Sequence, residues 1–108
     1  MPAAYDLTHS AKQDVRGIWV YTTERWGERQ ADRYTGGLET CFRRIAGRRF
    51  RHNTFSERYP QVRVTRCQEH YVFYLSPEGR KPLIIAVLHG RMDLLARLGE
   101  RLSLPGSL

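Results

Sequence analysis

The chain has 108 residues, 41% of them apolar, and two cysteines, enough for one compact domain with a modest single core and too little for a multidomain enzyme. Its 18 basic residues outnumber 11 acidic ones, for a formal net charge of +7, which points to a polyanion or to an acidic protein that covers one face. The excess is local: residues 1 to 39 carry −1, residues 68 to 108 carry +1, and residues 40 to 67 carry +7, with Arg supplying 16 of the 18 basic groups.

In chain order, Tyr5 to Leu7 predicts a short first strand running into Thr8 or Ser10, either of which is a suitable helix cap. Ala11, Val15, Ile18 and Trp26 then fall on one helical face, with Trp19 beside them and Thr22 as a polar interruption. Val20 falls on the far side, so this first helix reads as covered on two faces. Gly27 breaks the pattern, and a second stripe follows at Ala31, Tyr34, Leu38, Cys41, Phe42 and Ile45. Two helices joined near Trp26-Gly27 make a helical hairpin. Gly36-Gly37 inside the second helix costs roughly 1 kcal/mol per residue relative to Ala, which suggests close packing there or a break.

Residues 47 to 60, GRRFRHNTFSERYP, show no period and read as a long basic loop. Val62, Val64 and Arg66 alternate with Arg63, Thr65 and Cys67 in a weak strand pattern; HYVFYLS after a turn at Gln68-Glu69 is a strong one. Ser76-Pro77-Glu78-Gly79 is turn chemistry, and LIIAVLH is an apolar strand suited to the interior of a sheet. Met92 to Leu102, with Leu94, Leu95, Leu98 and Leu102, predicts a closing helix. Strand, helix, helix, three strands and helix make an α+β domain: an N-terminal strand and helical hairpin packed on a mostly antiparallel sheet, with a short C-terminal helix. One domain is expected over residues 1–102, with 103–108 as a flexible tail.

The longest apolar run, Leu83 to Leu88, falls far short of the roughly 18 residues that span a bilayer. The start, MPAAYDLTHS, has neither a basic n-region nor an apolar h-region, so a cytoplasmic protein is expected. Cys41 and Cys67 then read as reduced thiols in or near the core. A zinc site can be written from Cys41, His52, Cys67 and His70, but a single loose spacing makes a weak ligand set and the core reading is preferred.

Phosphate loops, paired metal-binding carboxylates and nucleophile elbows are absent from the sequence. Metal-independent RNA cleavage needs a base, an acid and a cation for the developing phosphorane charge. His70, His89, Arg66 and Arg91 are of the right types and sit at the ends of predicted strands. In the basic block, Arg43, Arg44, Arg48, Arg49, Arg51 and Arg58 interleave with Phe50, Phe55 and Tyr59. That pattern suits phosphates with stacked bases, or an acidic peptide over rings that pin the loop to the core; the peptide is the preferred reading.

The run YDLTHSAKQDVRGIWVYTTERWGERQADRY resembles the ParE toxins of bacterial toxin-antitoxin systems, within the broader RelE/ParE group, at Leu7-Thr8, Ala11, Asp14, Ile18, Tyr21, Trp26-Gly27, Gln30-Ala31 and Tyr34. VRVTRCQEHYVFYLS and LIIAVLHGRMDLLARL resemble the family's paired strands, last strand and closing helix, most distinctively at Leu88-His89 and Arg91-Met92-Asp93. The resemblance implies a toxin that inhibits DNA gyrase by stabilising its cleaved complex with DNA. It also implies a ParD-like antitoxin whose acidic C-terminal segment folds on the toxin, giving a hetero-oligomer. His89, Arg91, Met92 and Asp93 become the expected target-contact surface, and the six arginines of the basic block the antitoxin-binding set. No cofactor, metal or catalytic activity of its own is expected on this reading. The alternative is a ribosome-dependent messenger-RNA endonuclease of RelE type using His89, Arg91, Arg66 and His70, although no Tyr lies beyond Tyr74 where such relatives often carry one.

Overall fold

A computed structural model describes residues 4–47 and 53–103. The elements are β1 (Asp6–Leu7), α1 (His9–Trp26), α2 (Glu28–Ala46), β2 (Asn53–Thr54), β3 (Arg63–Cys67), β4 (His70–Leu75), β5 (Leu83–His89) and α3 (Leu94–Ser103). They build one five-stranded sheet in the order β1-β5-β4-β3-β2. Strands β2 to β5 run antiparallel in sequence, while β1 lies parallel to β5, so the α+β expectation holds with a mixed sheet.

Thr8, not Ser10, caps α1: its hydroxyl accepts the Ala11 N–H at 3.1 Å. Gly27 alone separates the helices of the hairpin, at φ +91°, a conformation that strains any residue with a Cβ. Helix α2 runs unbroken through Gly36-Gly37. Close packing accounts for one of the two glycines. A Cβ on Gly37 would lie 2.7 Å from the Gln68 side-chain nitrogen, whereas one on Gly36 would meet open space.

Each face of the sheet has its own core. Ala11, Leu38, Phe42 and Ile45 of the hairpin pack on Cys67, Val72, Tyr74, Ile84 and Val87. On the other face Leu98 of α3 meets Val62, Phe73, Ile85, Ala86 and Leu88. Strict alternation cannot put Ile84 with Val87 and Ile85 with Ala86. A bulge does: Ala86 pairs with Phe73 and Ile84 with Tyr74, leaving Ile85 extra.

The edge of β5 beyond the short β1 is covered by side chains. Arg101 of α3 donates to the Asp14 carboxylate at 2.8 and 2.9 Å and to the Ile85 carbonyl at 3.0 Å. Asp14 also accepts the Val87 N–H at 2.9 Å. This mostly buried pair therefore satisfies backbone groups that a neighbouring strand would otherwise take.

Several expectations change. Cys41 and Cys67 are not free thiols but a disulfide, their Cα atoms 6.3 Å apart; α2 crosses the end of β3 at the spacing a disulfide bridges. Within the segment read wholly as loop, Asn53 and Thr54 pair with Val64 and Arg63. Both are exposed, so no apolar alternation announces the strand. Trp26, the last residue of α1, is 72% exposed, and Val20 is 42% exposed although Thr22 further along the helix is buried, so the far side of α1 has no second cover at Val20. Helix α3 begins at Leu94 rather than Met92, since Asp93 accepts the Ala96 N–H at 3.2 Å and acts as its cap. It extends through Ser103, one residue into the expected tail, and residues 104–108 lie outside the described part.

Candidate functional site

The register of the central hairpin creates the site. Strand β4 begins at His70 and β5 ends at His89, and the two are paired directly across the ladder. Their rings stand edge to face with centroids 5.1 Å apart. The turn before β4 places Gln68 at φ +58°, a left-handed conformation uncommon outside glycine. Its side-chain amide donates to the Tyr34 carbonyl of α2 at 2.9 Å.

Tyr34 completes the clasp. Its hydroxyl accepts the Glu69 N–H at 3.1 Å and lies 2.6 Å from His70 Nδ1. The Glu69 N–H takes one lone pair of the phenol oxygen and leaves its O–H able to donate to Nδ1, an arrangement that matches the tautomer with the His70 proton on Nε2. Burial, then the charge of neighbouring His89, lowers the His70 pKa from 6.5 to about 4, against weaker opposing effects of Glu69 and Asp14. His70 is therefore a neutral imidazole at pH 7. Burial also raises the Tyr34 pKa, a shift the Glu69 N–H partly offsets. His89 Nδ1 accepts the Arg91 N–H at 3.0 Å, which fixes the turn after β5.

Both histidines line an open groove of about 770 Å³ between α1 and the ends of β4 and β5. Its other wall is α1, with Ile18, Thr22 and the exposed rings of Tyr21 and Trp26. Arg91 and Met92 stand at the rim. The groove thus combines apolar and aromatic surface with two imidazoles, the Asp14 and Glu69 carboxylates and, at its rim, the Arg91 guanidinium, a combination suited to a mixed apolar and polar protein surface.

The predicted residues divide. His70, His89, Arg91 and Met92 come together at the groove. Arg66 does not: it pairs with Tyr71 in the ladder, stacks over that ring at 5.9 Å, and projects from the face opposite Cys67 and His70. The nuclease quartet is accordingly not assembled. Asp93 turns to the other side and caps α3.

Of the basic set, Arg43 and Arg44 lie in the last turn of α2. Arg58 stands beside Tyr59 at the α3 face of the sheet, and Arg48, Arg49 and Arg51 lie outside the described residues. Of the groups considered for zinc, Cys41 and Cys67 are bonded to each other, His70 is engaged with Tyr34, and His52 lies outside the described residues. Sequence reasoning missed Tyr34 as a site residue because it sits on an apolar helical stripe like any core aromatic. It also missed the Asp14–Arg101 pair, whose partners are 87 residues apart.

The family described as the ParE toxin of type II toxin-antitoxin system, parDE, matches residues 5–94, a span that includes every described groove residue. The chain belongs to the ParE toxin family. It is a toxin of a ParDE type II toxin-antitoxin system, and so has an antitoxin partner. Toxin ParE of Escherichia coli is 44% identical over 99 residues, covering 92% of this chain and 96% of that protein. Toxin ParE1 of Caulobacter vibrioides is 35% identical, covering 88% and 97%, and Toxin ParE1 of Mycobacterium tuberculosis 32% identical, covering 87% and 96%. The solved chromosomal ParDE system from P. aeruginosa contains a chain with the same fold at a TM-score of 0.66 and 15% identity, covering 80% of this chain and 96% of that one. No helix among the described residues of this ParE toxin is long and apolar enough to cross a membrane.

Proposed function

We propose that this ParE toxin inhibits DNA gyrase in the cytoplasm by docking the groove rim, His89, Arg91 and Met92, against the enzyme. It is held inactive by a ParD-like antitoxin with an acidic C-terminal segment. The observation that carries the reading is the groove itself. Its rim joins an exposed cation and exposed apolar groups on a rigid two-strand end, inside the span that belongs to the ParE family. Asp93 serves the rim indirectly, by fixing where α3 starts.

Arg43 and Arg44 on one side of the sheet and Arg58 on the other favour an extended acidic segment that runs across the β2 edge over one short helix on a single face. Arg48, Arg49 and Arg51 belong to the same basic run. The toxin itself needs no cofactor and performs no chemistry on this reading.

Purified antitoxin-free protein added to gyrase is expected to block supercoiling and to accumulate cleaved DNA. Full supercoiling at toxin in large molar excess contradicts the proposal. Restoration of supercoiling by an acidic antitoxin segment, lost as salt rises, supports the charge pairing.

A further inference from the structure

The bond between Cys41 and Cys67 spans 26 positions and closes a loop around the basic segment. One end lies on α2, four residues past Gly37. The other is the last residue of β3, immediately before the turn that places His70. Nearly all that fixes the Tyr34 wall of the groove hangs between these two ends. Gln68 reaches the Tyr34 carbonyl, Glu69 the Tyr34 hydroxyl, and that hydroxyl His70. Gln68 and Glu69 are exposed, so water competes for their bonds to Tyr34. The disulfide is the covalent tie between α2 and this turn.

We propose that Cys41 and Cys67 are a reversible thiol-disulfide modification site, oxidised by a low-molecular-weight disulfide such as glutathione disulfide, whose state sets how firmly the Tyr34–His70 wall is held. The inference rests on the proposed function for its setting: a protein that acts on gyrase works in a reducing compartment. Lasting disulfides are rare there and those that form usually serve redox control. The geometry assigns the two sulfurs different parts. Cys67 is 2% exposed, while Cys41 is only half-buried, so Cys41 meets small thiols and disulfides first.

In oxidation, the Cys41 thiolate attacks one sulfur of the small disulfide. A mixed disulfide forms, and one small thiol leaves with a proton. The Cys67 thiolate then attacks the Cys41 sulfur, forming the internal bond and releasing the second small thiol. Two protein thiols lose two electrons and two protons, and one small disulfide becomes two thiols. Reduction is the reverse, and it leaves the Cys67 thiol near the Gly37 carbonyl, 3.8 Å from its sulfur.

The test equilibrates the full chain in glutathione buffers from fully reduced to fully oxidised. It then reads Glu69 amide exchange and the His70 titration by NMR, with gyrase supercoiling measured on the same samples. The expected result is a reversible two-form transition in which reduction speeds Glu69 exchange by about tenfold or more. On reduction His70 should also titrate closer to 6.5 than to about 4, and gyrase inhibition should weaken about tenfold. The doubly substituted Cys41→Ser/Cys67→Ser chain should match the reduced form and ignore glutathione.

A bond that survives excess reduced glutathione overturns the proposal, as does reduction that leaves Glu69 and His70 unchanged. If both forms inhibit gyrase equally, the redox control fails and the proposed function stands. If neither form inhibits gyrase while Glu69 and His70 respond, the proposed function fails and the modification site stands.

Discussion

The two faces of the sheet are held in different ways. On the hairpin face the core contains a disulfide, a buried Tyr74 and, at its end, the Tyr34–His70–His89 cluster. On the α3 face the described buried residues of the core are all apolar, and the ten-residue α3 is seated by Leu98. One face holds polar groups in fixed positions and carries the groove; the other is an apolar seam that backs β5. The difference teaches that the groove is not a defect in packing. Its histidines are placed by strand register, and His70 also by Tyr34 of α2, while α3 bears on it indirectly, through the pairing of Arg101 with Asp14.

The largest expected effect separates the faces by stability. Phe42 is 1% exposed and meets the Tyr5 ring at 5.5 Å, so Phe42→Ala should cost about 4 kcal/mol in urea denaturation. The hairpin face should loosen first, seen as faster amide exchange in α2 than in α3. Equal loosening of both faces would mean that the two cores do not act separately.

Next in size is the pair that joins them. Asp14 and Arg101 have side chains only 16% and 15% exposed, and removing the cation leaves a nearly buried carboxylate. Arg101→Ala should lose about 3 kcal/mol, and Asp14→Ala in that background should return part of it. An additive double variant would break the claim that this ion pair couples the faces.

A smaller effect tests the α3 side alone. Asp93→Ala removes the cap on α3 and should cost about 1 kcal/mol while leaving the His70 titration unchanged. A shift in that titration would show that the two faces communicate through the cap.

The smallest effect concerns pH. The unfolded chain takes up a proton at the ordinary His value of 6.5, whereas folded His70 resists until about 4. Stability is therefore complete above about 6.5 and falls as pH drops toward 4. Because His70 is only half-buried, solvent reduces the effect. A melting series across that window should show a shallower decline for His70→Gln than for the parent chain.

Much of this architecture was legible in the residues. Thr8 before an apolar stripe, Gly27 between two stripes, and LIIAVLH with its turn all report local preferences that the tertiary structure keeps. The ParE resemblance, most distinctive at Leu88-His89 and Arg91-Met92-Asp93, drew attention to the end of β5 that lines the groove. What escaped was set by distance rather than by local pattern. Nothing in the spacing joins Cys41 to Cys67 or Asp14 to Arg101, and the fate of Arg66 turned on strand parity, which sends it to the face opposite His70. Trp26 was misplaced for a related reason: helical periodicity says which side of α1 it occupies, but not that this side is left uncovered at the last residue of the helix.

The most direct measurement compares the antitoxin-free toxin with its His89→Ala/Arg91→Ala variant in gyrase supercoiling and DNA-cleavage assays, after circular dichroism shows that both are folded. Inhibition with accumulated cleaved DNA by the parent chain, weakened about tenfold or more in the variant, is the predicted result. A folded parent chain that leaves gyrase fully active, or a variant that inhibits as strongly as the parent, would contradict the account.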